Sequence, residues 1–141
     1  MIEINKFISQ FTDKQIPNIE KIGKKYFLVS ADQKKLSKDI GRKPFSAGIF
    51  LGEQKRNFQA SPALVDMIAK LSDRKAFINK EAEWLFLCGR DVFEKNIVKK
   101  NVENGIVLVQ NEEDENLGFG KLSSSGVKNI LDKGEYLRTK N

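Results

Sequence analysis

The sequence contains no histidine and only one cysteine, Cys88. Without imidazole there is no Ser-His or Cys-His nucleophilic pair, no histidine general base and no His-ligated zinc. One thiol excludes an internal disulfide and a four-cysteine metal site, and it fits a reducing, intracellular, cytoplasmic setting. No stretch approaches the apolar length that a membrane span needs, and the polar, charged first residues predict no secretory signal. A phosphate loop is missing as well, because no glycine-rich strand-to-helix turn is followed by Lys-Ser/Thr. There is no internal repeat and no low-complexity tract. Carboxylate or lysine chemistry stays open, but the common catalytic constellations are excluded, and no cofactor or metal is expected.

What is present describes a soluble, folded protein: 141 residues, 40% hydrophobic and 31% charged. That length suits one compact domain or two very small ones. The net charge is +6 and favours an anionic partner, of which nucleic acid is the commonest. The charge is uneven. Residues 1–74 hold fourteen Lys and Arg against eight Asp and Glu, whereas residues 75–141 hold eleven of each.

In chain order, Ile2, Ile4, Phe7, Ile8 and Phe11 fall near helical spacing and predict an amphipathic helix over 2–12. Pro17 ends that pattern. Ile19 to Ile22 and Lys25 to Ser30 predict two strands around a Gly23-Lys24 turn. Asp32 is the expected N-cap of a helix through Ile40, with Gly41 as its stop. Arg42 to Gly52 predicts a strand, with Phe58 closing the same layer. Ser61-Pro62 is an N-cap followed by proline at the first helical position, and Leu64, Val65, Ile68 and Leu71 supply the buried stripe of the helix it starts. Ser72-Asp73-Arg74 is short and polar and marks the expected boundary, giving domains of 1–73 and 74–141.

Beyond it, Lys75 to Asn79 predicts a strand. Glu81 to Cys88 predicts a helix stopped by Gly89, with Ala82, Leu85, Phe86 and Trp84 inward. Val92-Phe93 and Ile97-Val98 flank a turn. Ile106 to Val109 is a β-branched run suited to a strand buried on both faces. Glu112 to Glu115 must be a solvated turn rather than a metal site, because an exposed run of carboxylates does not converge. Leu117-Gly118-Phe119-Gly120 returns as a second strand, so Gly105 to Gly120 reads as a central hairpin. Glycines within a strand indicate a bulge or the close approach of another backbone. A strand near Val127 to Leu131 and a helical turn over Asp132 to Arg138 complete the chain. The class is α+β: a small N-terminal α/β layer and a mostly β second half.

Three stretches resemble the PUA domain, a module of pseudouridine synthases and archaeosine transglycosylases that usually binds RNA. They are Ala82 to Val92, Leu117 to Gly120, and Asp132-Lys133-Gly134-Glu135-Tyr136-Leu137-Arg138, which is similar to the D-x-G-E-[YF]-L-R ending of one PUA branch. Ile40 to Gly52 resembles the strand signature of a pre-PUA domain. The two together, with almost nothing added, resemble the short archaeal form of the Nip-seven family of large-subunit ribosome biogenesis factors. The resemblance covers nearly the whole chain and is weakest in the first thirty residues.

It implies a pre-PUA domain packed on a PUA pseudo-barrel, no enzymatic activity, and RNA binding in pre-rRNA processing and large-subunit assembly. The partners implied are pre-rRNA or large-subunit rRNA and ribosome assembly factors, with no membrane and a monomeric protein. Family members carry basic residues just before the D-x-G-E motif. Lys128 matches, while Ser124, Ser125 and Leu131 stand where basic side chains are frequent. The expected RNA-binding residues are Lys121, Lys128, Lys133 and Arg138, with Gly118 and Gly120 as positions where an RNA backbone could come close or where the hairpin simply bends. Lys34, Lys35, Lys38, Arg42 and Lys43 form a possible second basic surface, or a solvated helix face. Trp84 and Tyr136 read as packing residues, and Cys88 as inert packing. The alternative function is an RNA-binding accessory subunit of a methyltransferase or pseudouridine synthase. A third class is a protein-interaction module.

Overall fold

The computed structural model describes residues 2–29 and 48–139, with side chains through Tyr136. The helix expected over 32–40, the first part of the strand expected over 42–52, and the basic group Lys34, Lys35, Lys38, Arg42 and Lys43 lie outside the described residues. The class is α+β, as expected. Two compact units divide the chain. The first holds residues 1–9 and 13–64, and the second holds 10–12 and 65–141.

The first unit opens with α1 (Ile2–Ser9), which buries Ile4 and Ile8. The helix stops short of Phe11, whose buried ring belongs to the second unit and meets Phe119 edge-on with centroids 5.6 Å apart. Strands β1 (Ile19–Ile22), β2 (Lys25–Leu28), β3 (Ile49–Gln54) and β4 (Phe58–Ala60) form an antiparallel sheet in that order. Gly23-Lys24 makes the β1–β2 turn. Tyr26 is fully buried against Phe58, and its hydroxyl donates to Glu3 Oε2 at 2.5 Å. A buried hydroxyl left unpaired would be costly, so this bond offsets what burial of the ring's polar end would lose. Burial first, and then the Glu3 carboxylate, push the Tyr26 phenol up to about 12. The same bond holds Glu3 below the usual carboxylate range.

Helix α2 (Pro62–Leu71) starts as its sequence directs: the Ser61 Oγ accepts from the Leu64 N–H at 3.2 Å. The units divide within this helix, after Leu64, ahead of the tripeptide read as the boundary. In that tripeptide Ser72 is buried and donates to the Phe11 carbonyl at 2.7 Å. Arg74 bonds the carbonyls of Ile106 and Asn104, both at 2.9 Å, and ties the entry of the central hairpin.

The second unit contains β5 (Lys75–Ile78), α3 (Lys80–Leu87), β6 (Val92–Phe93), a 3₁₀ turn (Glu94–Asn96), β7 (Ile97–Lys100), β8 (Gly105–Gln110), β9 (Asn116–Ser123), β10 (Gly126–Asp132) and α4 (Gly134–Thr139). The six strands lie in the order β6-β10-β9-β8-β5-β7. Only the β5–β8 pair is parallel. Ala76, Ile78, Val92, Val107, Val109, Leu122 and Val127 point inward and close over Ala82 and Phe86 of α3. Asn79 caps α3, its Oδ1 accepting from the Ala82 N–H at 2.9 Å.

Trp84 does not join this core. It is 68% exposed, because it falls two positions from Ala82 and from Phe86, about 200° around the helix from each. Cys88, expected as inert packing, closes α3 as an exposed residue.

Candidate nucleic-acid interface

The outer face of the β6-β10-β9 edge follows from strand alternation. Val92, Val127 and Leu122 stand opposite one another and are all buried. Their neighbours in each strand therefore face outward. One outward row runs Phe93–Gly126–Ser123, and the next runs Lys128–Lys121. Phe93 is 67% exposed, and Lys121, Lys128 and Ser123 are exposed. These residues, with Asp91 and Ser125, line a groove of about 360 Å³.

Gly126 is the floor of the groove. Its φ is +135°, and a β-carbon there would collide with the Val92 carbonyl oxygen, so the site cannot carry a side chain without rebuilding β6. Phe93 and Ser123 therefore flank a notch. Asp91 Oδ1 accepts the Asn129 N–H at 2.8 Å, while Asn129 Nδ2 donates to the Phe86 and Arg90 carbonyls at 3.0 and 3.3 Å. This fixes β10 to the end of α3 and puts Asp91 at the Lys128 end of the groove, two residues before Phe93 in the chain. The same end carries two ammonium groups on directly opposed residues. Among the described residues neither has a salt bridge, and opposed like charges on a sheet repel. An anion placed between them relieves that repulsion.

The structure separates the other expected contacts from this pair. Lys133 lines a different recess and holds Asp66 Oδ1 at 2.5 Å. Arg138 falls in α4. Gly118 and Gly120 are buried, and the backbone that comes close to them is the chain's own β10. A β-carbon at Gly118 would strike the Leu131 carbonyl, and one at Gly120 the Lys128 carbonyl. They let β10 approach β9, as a close backbone approach within the hairpin region requires. Lys99 and Lys100 are adjacent in β7, so their side chains leave the strand on opposite faces: Lys99 lies over the Phe77 ring at 5.6 Å, and Lys100 pairs with Glu103 at 3.6 Å.

The acidic turn is more organised than a solvated run requires. Asn111 Oδ1 accepts the Glu113 and Glu115 N–H groups at 3.0 and 2.9 Å. Buried Gln110 donates to Asp114 Oδ1 at 2.9 Å, and Lys75 reaches the same oxygen at 3.3 Å. The Gln110 bond first, then Lys75, hold the Asp114 carboxyl below its usual range. Among the described residues no cluster of three His, Cys, Asp or Glu could hold a metal ion.

Sequence reasoning missed Phe93. The signal was available: in a two-residue strand whose valine points inward, the phenylalanine must point out.

Residues 74–141 match the model of the UPF0113 PUA domain. This half of the chain carries a PUA domain. Its six strands make a nearly closed PUA-like barrel. A UPF0113 protein of Archaeoglobus fulgidus is 34% identical over 109 residues, which cover 67% of this chain and 63% of that protein. The chain thus spans less than two thirds of that relative's length. The fold is similar to that of a conserved PUA domain protein from Thermoplasma acidophilum. The TM-score is 0.59 at 14% identity, over 96% of this chain and 91% of that one.

Proposed function

We propose that the protein is a non-catalytic, monomeric RNA-binding factor that acts on precursor or large-subunit rRNA during assembly of the large ribosomal subunit. The observation that carries RNA binding is the opposed pair Lys121 and Lys128 on the open face of a PUA domain, beside an exposed aromatic ring. Such a pair neutralises phosphate and displaces condensed counterions, and this gives affinity that falls with salt. The assembly role rests on the likeness of Ile40 to Gly52 and of Asp132 to Arg138 to the pre-PUA and PUA signatures of the Nip-seven family. The first unit then contacts assembly factors or further RNA.

Crosslinking in cells, followed by sequencing of the bound RNA, tests the assignment. Enrichment of large-subunit rRNA precursors supports it. Co-purification with a methyltransferase or a pseudouridine synthase, without those precursors, overturns it in favour of an accessory subunit.

A further inference from the structure

We propose that the groove takes a single-stranded segment of RNA, with one unpaired base lying on the Phe93 ring and the adjoining phosphate between the Lys121 and Lys128 ammonium groups. The inference rests on the RNA-binding reading above and narrows it to a class of substrate and a mode of contact.

Three features of the groove lead to it. The first is Phe93 itself. It lies at the edge of the sheet, most of its ring is in water, and the residue opposite is a glycine that cannot be replaced in this backbone. An aromatic side chain shown to solvent beside a notch with no side chain is a stacking platform, because every base presents a π face. The second is spacing. The Phe93–Gly126–Ser123 row and the Lys128–Lys121 row are two residues apart along β10, roughly 7 Å. One nucleotide spans such a gap, with its base on one row and its phosphate on the other.

The third is polarity. The lysines face each other at one end, where they attract phosphate; Asp91 lies at that same end, its Oδ1 engaged by the Asn129 N–H. Ser123, in the Phe93 row, and Ser125, in the turn that follows it, carry hydroxyls 3.0 Å apart that can bond the ribose 2′-OH of the stacked nucleotide. A duplex cannot use this arrangement. Its bases are stacked inside and its faces are not open to a side chain, so a duplex would offer the groove only its phosphates.

Fluorescence anisotropy at low salt, with a labelled unstructured 9-mer oligoribonucleotide and a blunt duplex of the same length, tests the proposal. Wild type should bind the single strand about tenfold more tightly than the duplex. Phe93→Ala should lose about tenfold on the single strand with its salt slope unchanged, and Phe93→Tyr should retain binding. Because Phe93 is exposed, the melting curves of both variants should match wild type. If Phe93→Ala binds the single strand like wild type, or if the duplex binds as tightly, the stacking mode is wrong while RNA binding stands. If neither RNA binds at low salt, the RNA-binding reading itself falls.

Discussion

Lys121 and Lys128 face each other directly across the β9–β10 ladder, and both side chains are in solvent. A sheet built for stability alone would place opposite or neutral partners there, since opposed like charges cost roughly a few tenths to 1 kcal/mol. Replacing either lysine by alanine should therefore separate two effects. Without RNA at low salt, Lys128→Ala should melt slightly above wild type in calorimetry. With an rRNA fragment it should bind more weakly, with the slope of log K against log salt reduced by about 1. Lys121→Ala should behave in the same way. An unchanged slope in both variants would remove the pair from the interface.

Lys133 serves as the internal control. It holds Asp66 at 2.5 Å and lines another recess. Lys133→Ala should leave the RNA salt slope at the wild-type value and cost about 0.2–1 kcal/mol of stability in urea unfolding, the range for an ion pair that solvent still reaches. A slope change as large as that of Lys128→Ala would extend the RNA surface to this recess.

The glycines predict a different response. Gly118 and Gly126 combine positive φ, +143° and +135°, with a neighbouring carbonyl where a β-carbon would go. Gly118→Ala and Gly126→Ala should each lower stability by about 2 kcal/mol or more, seen as a reduced urea midpoint. An alanine tolerated at either position would mean that the strands can separate at no cost.

Both tyrosines are buried enough to titrate late. Burial, together with Glu3 for Tyr26 and Glu135 for Tyr136, raises each phenol to about 12. At pH 10, where an exposed tyrosine is half ionised, absorbance at 295 nm should show little phenolate. A raised folded pKa means that the folded state holds the proton more tightly. Its stabilising contribution is complete below pH 10 and is lost as pH climbs towards 12. Unfolding midpoints in urea should accordingly fall between pH 10 and 12. Full phenolate absorbance near pH 10 in the folded protein would refute the burial of these rings.

Local chemistry made much of the fold legible. Gly23-Lys24 set the first hairpin, Ser61-Pro62 set the start of α2, and Ile106 to Val109 identified a strand buried on both faces. What could not be read was pairing across distance. Gly118 and Gly120 announced a close approach, but that the approaching backbone was β10 depends on a register found only in the folded sheet. Trp84 was drawn inward by its hydrophobicity, although its angle from Ala82 and Phe86 put it in water. Lys121 and Lys128 were both singled out for their charge, but their direct opposition emerges only once β9 and β10 are paired. Phe93 went unassigned although an inward Val92 puts it in water, because that inference needs the direction of Val92 and a two-residue strand has too little periodicity to give it. The importance of Asn111 and Asn129 lies in the backbone groups they bond, and no local pattern reports those.

Strand β6, at one open edge of the six-stranded sheet, is only two residues long. A strand so short offers too little main chain for a neighbouring molecule to extend the sheet. The edge that displays a bare phenylalanine is thereby a poor template for self-association. The protein can keep an oily side chain in water, next to two lysine ammonium groups without a salt bridge among the described residues, with little tendency to aggregate through it. Whatever docks there must be recognised by side chains rather than by a shared backbone ladder.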